Sequence, residues 1–152
     1  MGVDVFPQVY VEKRVARAWV PWSPKTGKPL KRAAHLRVDQ TLAARSYEAL
    51  MDACIAACPD GAAFSSVHER TFESFAKKAL AAEPSLEQDY LFGAGALSTK
   101  KLRAIADGAP PASLAEEDAA SVWAEAAGEL RRWADVVSAA GADRVCYWFD
   151  IQ

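Results

Sequence analysis

The hydrophobic and polar positions change period along this chain, and each change marks an element. Val3, Val5, Val9 and Val11 share one parity with Asp4, Gln8 and Glu12 opposite, the two-residue period of a strand with one buried face. Pro7 brings no amide proton, so the strand is expected to be an edge or to bend there. A second strand is predicted across Ala16 to Trp22, paired through Lys13 to Val15 and stopped by Pro21 and Pro24. Ser23 to Arg32 places Pro24, Gly27 and Pro29 among Lys25, Lys28, Lys31 and Arg32, the composition of an exposed loop. Residues 1–40 therefore read as a basic β-hairpin and loop.

From about Thr41 the period becomes helical. Leu42, Tyr47, Leu50, Met51, Cys54, Ile55 and Cys58 recur three and four apart until Pro59, Asp60 and Gly61 end the run. A capping box of Ser66 with Glu69 opens a second helix, whose apolar face carries Phe72, Phe75, Ala76, Ala79 and Leu80 up to Pro84. Two shorter helices are expected near Leu86 to Phe92 and from Ser98 to Asp107, the latter closed by Gly108, with Gly93 and Gly95 as a joint between them. Ser113 with Glu116 repeats the box ahead of the longest helix, in which Val122, Trp123, Ala126, Leu130, Trp133 and Val137 form one stripe ending at Gly141. Val145 to Ile151 is bulky and apolar on both parities, so it is predicted to be a central strand joined to the hairpin.

The inferred class is α+β, with 1–152 forming a single domain. A small antiparallel sheet, the N-terminal hairpin plus the closing strand 144–151, is covered by a layer of about four to five helices over 41–140. With 51% hydrophobic and 25% charged residues, a chain of 152 residues can bury a full core. Cys54, Cys58 and Cys146 are odd in number, and Met1 to Phe6 lacks the basic and apolar regions of a leader, so reduced thiols in the cytoplasm are expected. The most apolar stretch, Leu42 to Cys58, is broken by Arg45, Glu48 and Asp52, which argues against a membrane span.

Charge is split by position. Residues 1–40 carry eight Lys/Arg against three Asp/Glu, and residues 41–152 carry ten against seventeen, hidden inside a net charge of −2. Such an arrangement points to binding by charge complementarity.

The opening Met1, Gly2, Val3, Asp4 and Val5, followed by Val11, Glu12, Arg14 and Trp19, resembles a set of small uncharacterised phage and bacterial proteins that begin Met-Gly-Cys-Asp-Ile-His. Arg45, Ser46, Tyr47 and Leu50 match their Arg-Asn-Tyr and apolar residues, and Arg144 to Asp150 is similar to their closing Arg-Val-Phe-Trp-Phe-Asp. Val3 and Phe6 replace the Cys and His of that opening, so chemistry at those positions does not carry over. The resemblance implies a phage or mobile-element setting, hence a host-cell cytoplasm, and no activity.

Candidate chemistry is sparse. Cys54 and Cys58, with His68 and Cys146, have the residue types of a tetrahedral metal site, but both cysteines lie on an apolar helical stripe and read as buried small hydrophobes. A nucleophile pairing Cys146 or Cys58 with His35 or His68 meets the same objection, since burial silences a thiol. Glu116, Glu117 and Asp118 suit a helix N-terminus without any Mg²⁺. Lys25, Thr26, Gly27 and Lys28 lack the strand, glycine spacing and helix of a phosphate loop. No metal, cofactor or catalytic residue is therefore assigned.

The leading expectation is a stoichiometric, phage-type binding protein, not an enzyme, that blocks a host protein complex, in its most concrete form an anti-CRISPR-like inhibitor masking a basic nucleic-acid-binding surface. Its contact residues would be the helical carboxylates Glu69, Glu73, Glu83, Glu87, Asp89, Glu116, Glu117, Glu125 and Glu129. A homodimer, or nucleic-acid contact as an accessory protein, would instead use Tyr10, Trp19, Trp22, Lys25, Lys28, Lys31 and Arg32. A small Cys or carboxylate enzyme is the remaining alternative.

Overall fold

The computed structural model describes residues 5–82, 93–114 and 116–151. Four strands, β1 (Val5–Val15), β2 (Ala18–Pro21), β3 (Gly95–Ser98) and β4 (Arg144–Ile151), form one sheet in the order β2-β1-β4-β3 with every neighbour antiparallel. Four helices accompany it: α1 (Ala44–Ala57), α2 (Ser66–Ala82), α3 (Thr99–Asp107) and α4 (Glu116–Ala139). The α+β class holds. The helix expected near Leu86 to Phe92 falls outside the described residues.

Parity within the strands decides what lies on each face of the sheet. Val9 and Val11 on β1 pair with Tyr147 and Val145 on β4, and these side chains meet α1, α3 and α4 in the larger core with Leu50, Leu130, Trp133 and Val137. Tyr10 pairs with Cys146 and Gln8 with Trp148, and this opposite face packs on Phe64, Phe72 and Phe75 from α2 and the residues before it. The helices thus form two layers with the sheet between them, rather than one covering layer. β4 is sandwiched, and Val145 to Phe149 have no exposed surface. At about 1.5–3 kcal/mol for each large apolar side chain taken from water, Tyr147, Trp148 and Phe149 make this strand a major contributor to both sides of the core.

Pro7 sits as its chemistry requires. The carbonyls of Val9 and Val11 face away from β4, accepting from Leu36 N–H at 2.8 Å and Trp22 N–H at 2.9 Å. Pro7 shares their parity, so its missing donor lies along the edge of β1 opposite β4, beyond the stretch that β2 pairs, while the ladder to β4 runs unbroken from Val5 to Glu12. The hairpin closes through Ala16 and Arg17 at φ 48° and 70°, the left-handed pair that a two-residue turn of this type needs.

Three local expectations shift. Gly93 and Gly95 are not a bare joint: Gly95 starts β3, where an added Cβ would come within 2.8 Å of the Tyr147 hydroxyl, so only glycine lets this edge strand lie on β4. The cap of α2 is Ser65, one residue earlier than expected; its hydroxyl accepts from His68 N–H at 3.3 Å, and Glu69 reaches back to Phe64 N–H at 3.4 Å. Ser113 donates to Asp52 on α1 at 2.8 Å, which ties the start of α4 to α1, and the Glu116 side chain is outside the description. No helix among the described residues is long and apolar enough to cross a membrane.

Two variants should be more stable than the wild type. Gly128 is an exposed position in the middle of α4 with nothing within 4 Å of an added Cβ, so Gly128→Ala is expected to gain about 1 kcal/mol. Replacing Ala16 and Arg17 together by Asn and Gly should relieve the left-handed turn by about 1 kcal/mol or more. Urea denaturation of each variant checks both.

Candidate functional site

Two polar constellations lie on the α2 face of the sheet, one sealed and one open. The sealed one starts from Glu12, which the β1 alternation puts on the same side as Tyr10 and opposite the valine face. Its register partner on β4 is Arg144, whose Nε and Nη2 donate to Glu12 Oε1 at 2.9 and 2.6 Å. The first turn of α2 completes the group, with Ser65 N–H and His68 Nδ1 on Glu12 Oε2 at 2.8 and 2.7 Å. Arg144 also donates to the Ala63 carbonyl and lies 3.6 Å above the ring of Trp19. Glu12 and His68 have no exposed surface.

Cys146 adds a thiol at 3.4 Å from His68 Nδ1, so carboxylate, imidazole and thiol do converge. Their geometry does not suit catalysis. A relay needs thiol and carboxylate on different ring nitrogens, whereas both here meet Nδ1, and the buried Nε2 has no partner among the described residues. Burial, reinforced by the Glu12 charge, pushes the Cys146 thiol well above its ordinary pKa, so it stays protonated. Nor do the residues suit a metal ion: all four acceptor sites of the Glu12 carboxylate already receive donors, two of them from a guanidinium. Cys54 and Cys58 lie across the sheet, the Cys54 carbonyl accepting from the Tyr147 hydroxyl and the Cys58 thiol donating to Gly61 O at 3.4 Å, so the four-residue ligand set considered from sequence never assembles.

The open constellation is a cleft of about 680 Å³ between α2 and the segment 31–35. It forms because Leu36 N–H bonds Val9 O and His35 bridges Tyr10, which lays the chain after the hairpin loop along the free edge of β1. On α2 the helical period puts Arg70, Ser74 and Lys78 on one line and Val67, Thr71 and Phe75 on the next. Lys31 and Arg32 form the opposite wall, Tyr10 and Phe75 the floor, and among the described residues no Asp or Glu lines the space. Among the described residues no salt bridge engages Lys31, Arg32, Arg70 or Lys78. His35 lies against Tyr10 with ring centroids 4.8 Å apart and the planes tilted by 35°, its Nε2 is 3.3 Å from the Tyr10 hydroxyl, and desolvation holds its pKa below the ordinary value. The standing charge of the cleft at neutral pH is thus that of its four Lys and Arg side chains.

The expected contact residues scatter. Lys31 and Arg32 line the cleft, whereas Lys25 and Lys28 are exposed in a loop that docks on the end of α4, with Gly27 close to the Ala140 carbonyl. The aromatic side chains are not exposed anchors: Tyr10 is 2% exposed, Trp19 lies under Arg144, and Trp22 donates to Ala140 O at 2.8 Å. The carboxylates do not make one acidic layer, because Glu69 and Glu73 are on α2 and Glu117, Glu125 and Glu129 are on α4, across the sheet. Glu125 caps α1 by accepting from Ser46 Oγ at 2.6 Å and Ala43 N–H at 3.3 Å. Glu129 is 4% exposed and accepts from Trp133 Nε1 at 2.8 Å. Glu83, Glu87 and Asp89 lie outside the described residues, as do the side chains of Glu116 and Asp118. Arg70, Ser74 and Lys78 went unnoticed in the sequence; their four-residue spacing was the available signal.

Burial alone would raise the pKa of Glu12, but the bonds from His68 and Ser65 and the charge of Arg144 outweigh it and lower the value from 4.5 to about 2. Its ionised form therefore stabilises the fold fully above pH 4.5, and that contribution is expected to fade as pH falls toward 2. Glu12→Gln should leave Arg144 buried without a counter-charge, cost about 3–5 kcal/mol, and flatten the acid limb of a thermal-melt pH series. Comparison of the chain with family models, with curated proteins and with solved structures finds no match, so its function is argued from this geometry.

Proposed function

We propose that this protein is a binding module that holds a phosphate-rich polyanion in the cleft between α2 and the segment 31–35. The observation that carries the reading is the lining: Lys31, Arg32, Arg70 and Lys78 converge on one space of about 680 Å³, with no carboxylate beside them among the described residues. In a sequence with 20 Asp and Glu against 18 Lys and Arg, a cleft whose described charged side chains all carry one sign is a selective feature rather than the average surface. Cleft walls of low dielectric concentrate that field on whatever enters, and the apolar floor of Tyr10 and Phe75 limits screening from below. This is the accessory, nucleic-acid-type alternative from the sequence, with Arg70 and Lys78 taking the place of Lys25 and Lys28.

A second reading, the stoichiometric blocker of a host protein complex, is supported by a different recess. Glu48, Asp52 and Glu117 face a space of about 420 Å³ between α1 and the start of α4, where a cationic side chain of a protein partner would find complementary charge. It ranks second because Arg45 shares the recess and because Glu125 and Glu129 serve the fold itself.

Fluorescence anisotropy with labelled polyphosphate tests the first reading. Binding should weaken with added salt, and the double charge reversal Lys31→Glu with Arg70→Glu should reduce affinity by about a hundredfold at low salt while leaving the thermal melt in place. Equal binding by the variant, or no binding by the wild type, removes the cleft as the site.

A further inference from the structure

The basic cleft does not end at His35. A second recess of about 290 Å³ shares Gln8 and His35 with it, and a third of about 480 Å³ shares Arg37, Val38 and Gln40 with the second. The three recesses therefore follow one another along the segment 31–41, from Lys78 on α2 past the free edge of β1 to Arg132 on α4, in the order a groove would need. Resting on the polyanion reading above, we infer that this groove takes a single-stranded nucleic acid, with its phosphates on the basic walls and unpaired bases against the rings between them.

The order of side chains along the groove supports this class over other polyanions. Cations come first, in Lys31, Arg32, Arg70 and Lys78; flat rings follow, in His35 and Phe6, the latter backed by the buried Tyr47; cations return in Arg37 and Arg132. His35 is the ring best placed for stacking, since it is exposed on one side and backed on the other by Tyr10 at 4.8 Å, itself stacked on Trp148 at 4.9 Å. A base laid on the imidazole would extend a pile of rings that the core already holds rigid. Phe6, half-buried and 5.6 Å from Tyr47, gives the second recess an apolar surface of the same kind.

The third recess contains one carboxylate, and it is engaged locally. Asp39 accepts from the Thr41 N–H and hydroxyl at 2.9 and 2.6 Å, which turns it into the segment's own backbone. Arg132 is held in place by Glu129 and by the Arg37 carbonyl, so the far end of the groove is braced against α4. Alternating charge and π-faces is the chemistry of an unpaired strand, in which every base offers a ring and every linkage a phosphate. Inorganic phosphate or polyphosphate would use only the cations and leave the rings idle. A duplex presents its bases stacked inward and is read by an element that protrudes into a groove, whereas these cations lie inside a concavity.

Anisotropy with three labelled probes separates the cases: a short oligothymidylate, the same strand paired to oligodeoxyadenylate, and polyphosphate of matched charge. The expected order places the single strand tightest, and His35→Ala should weaken oligothymidylate by about tenfold while polyphosphate binding stays unchanged. Arg37→Glu, a surface change outside the lining of the first recess, should weaken the oligonucleotide more than a short polyphosphate that fits the first cleft alone. Tighter binding of the duplex, equal binding of single strand and polyphosphate, or an equal loss of both on His35→Ala overturns the inference and leaves the polyanion cleft standing. Failure of every probe to bind removes both.

Discussion

The fold turns on one ionised carboxylate held in the interior. Taking a charge out of water costs several kcal/mol even after the protein relaxes, and Glu12 offsets that cost only because four donors converge on it from β4 and from the first turn of α2. Those donors are Arg144 on β4, His68 on α2 and the Ser65 backbone that caps α2. Remove any of them and the rest are left desolvated. The group therefore fixes the β1–β4 register, since a slip of one residue would carry Glu12 to the apolar face and Arg144 away from it. It also fixes where α2 begins, and through the ring of Trp19 under Arg144 it fixes how the hairpin folds over.

That placement of α2 is what makes the groove. With His68 bound to Glu12, the helix presents the line of Arg70, Ser74 and Lys78 toward the chain returning from the hairpin loop. The free edge of β1 beyond the end of β2 receives that returning segment through Leu36. A buried ion pair and an unpaired strand edge thus set the two walls of one opening. The wall residues themselves contribute little to stability, as expected of exposed cations screened by salt.

Much of this was legible in the pattern of residues. The alternation of Val9 and Val11, the apolar run of β4 and the stripe on α4 gave the sheet and the main helix, because each is a repeat over many residues. What escaped is short or depends on distant contacts. β3 has four residues, too few to show a period, and its Gly95 reads as a flexible joint until Tyr147 is seen against it. Glu12 sits on the polar parity of β1 and looks solvent-facing; only the arrival of α2 on that side of the sheet encloses it. The carboxylates of α4 looked like a wet helical face, yet Glu125 and Glu129 reach Ser46 and Trp133, contacts set by packing and not by spacing in the sequence. The cleft needs residues 31–35 and 67–78 together, and no local pattern links them.

The thiols add a consequence of their own. Cys54 and Cys146 are fully enclosed on opposite sides of the sheet, and burial keeps both protonated. Neither can be oxidised or alkylated while the sheet stays closed, and they cannot join to one another without it coming apart. The molecule therefore carries two internal timers, one on each side, whose rates of labelling would report separately how often the α1 layer and the α2 layer lift away.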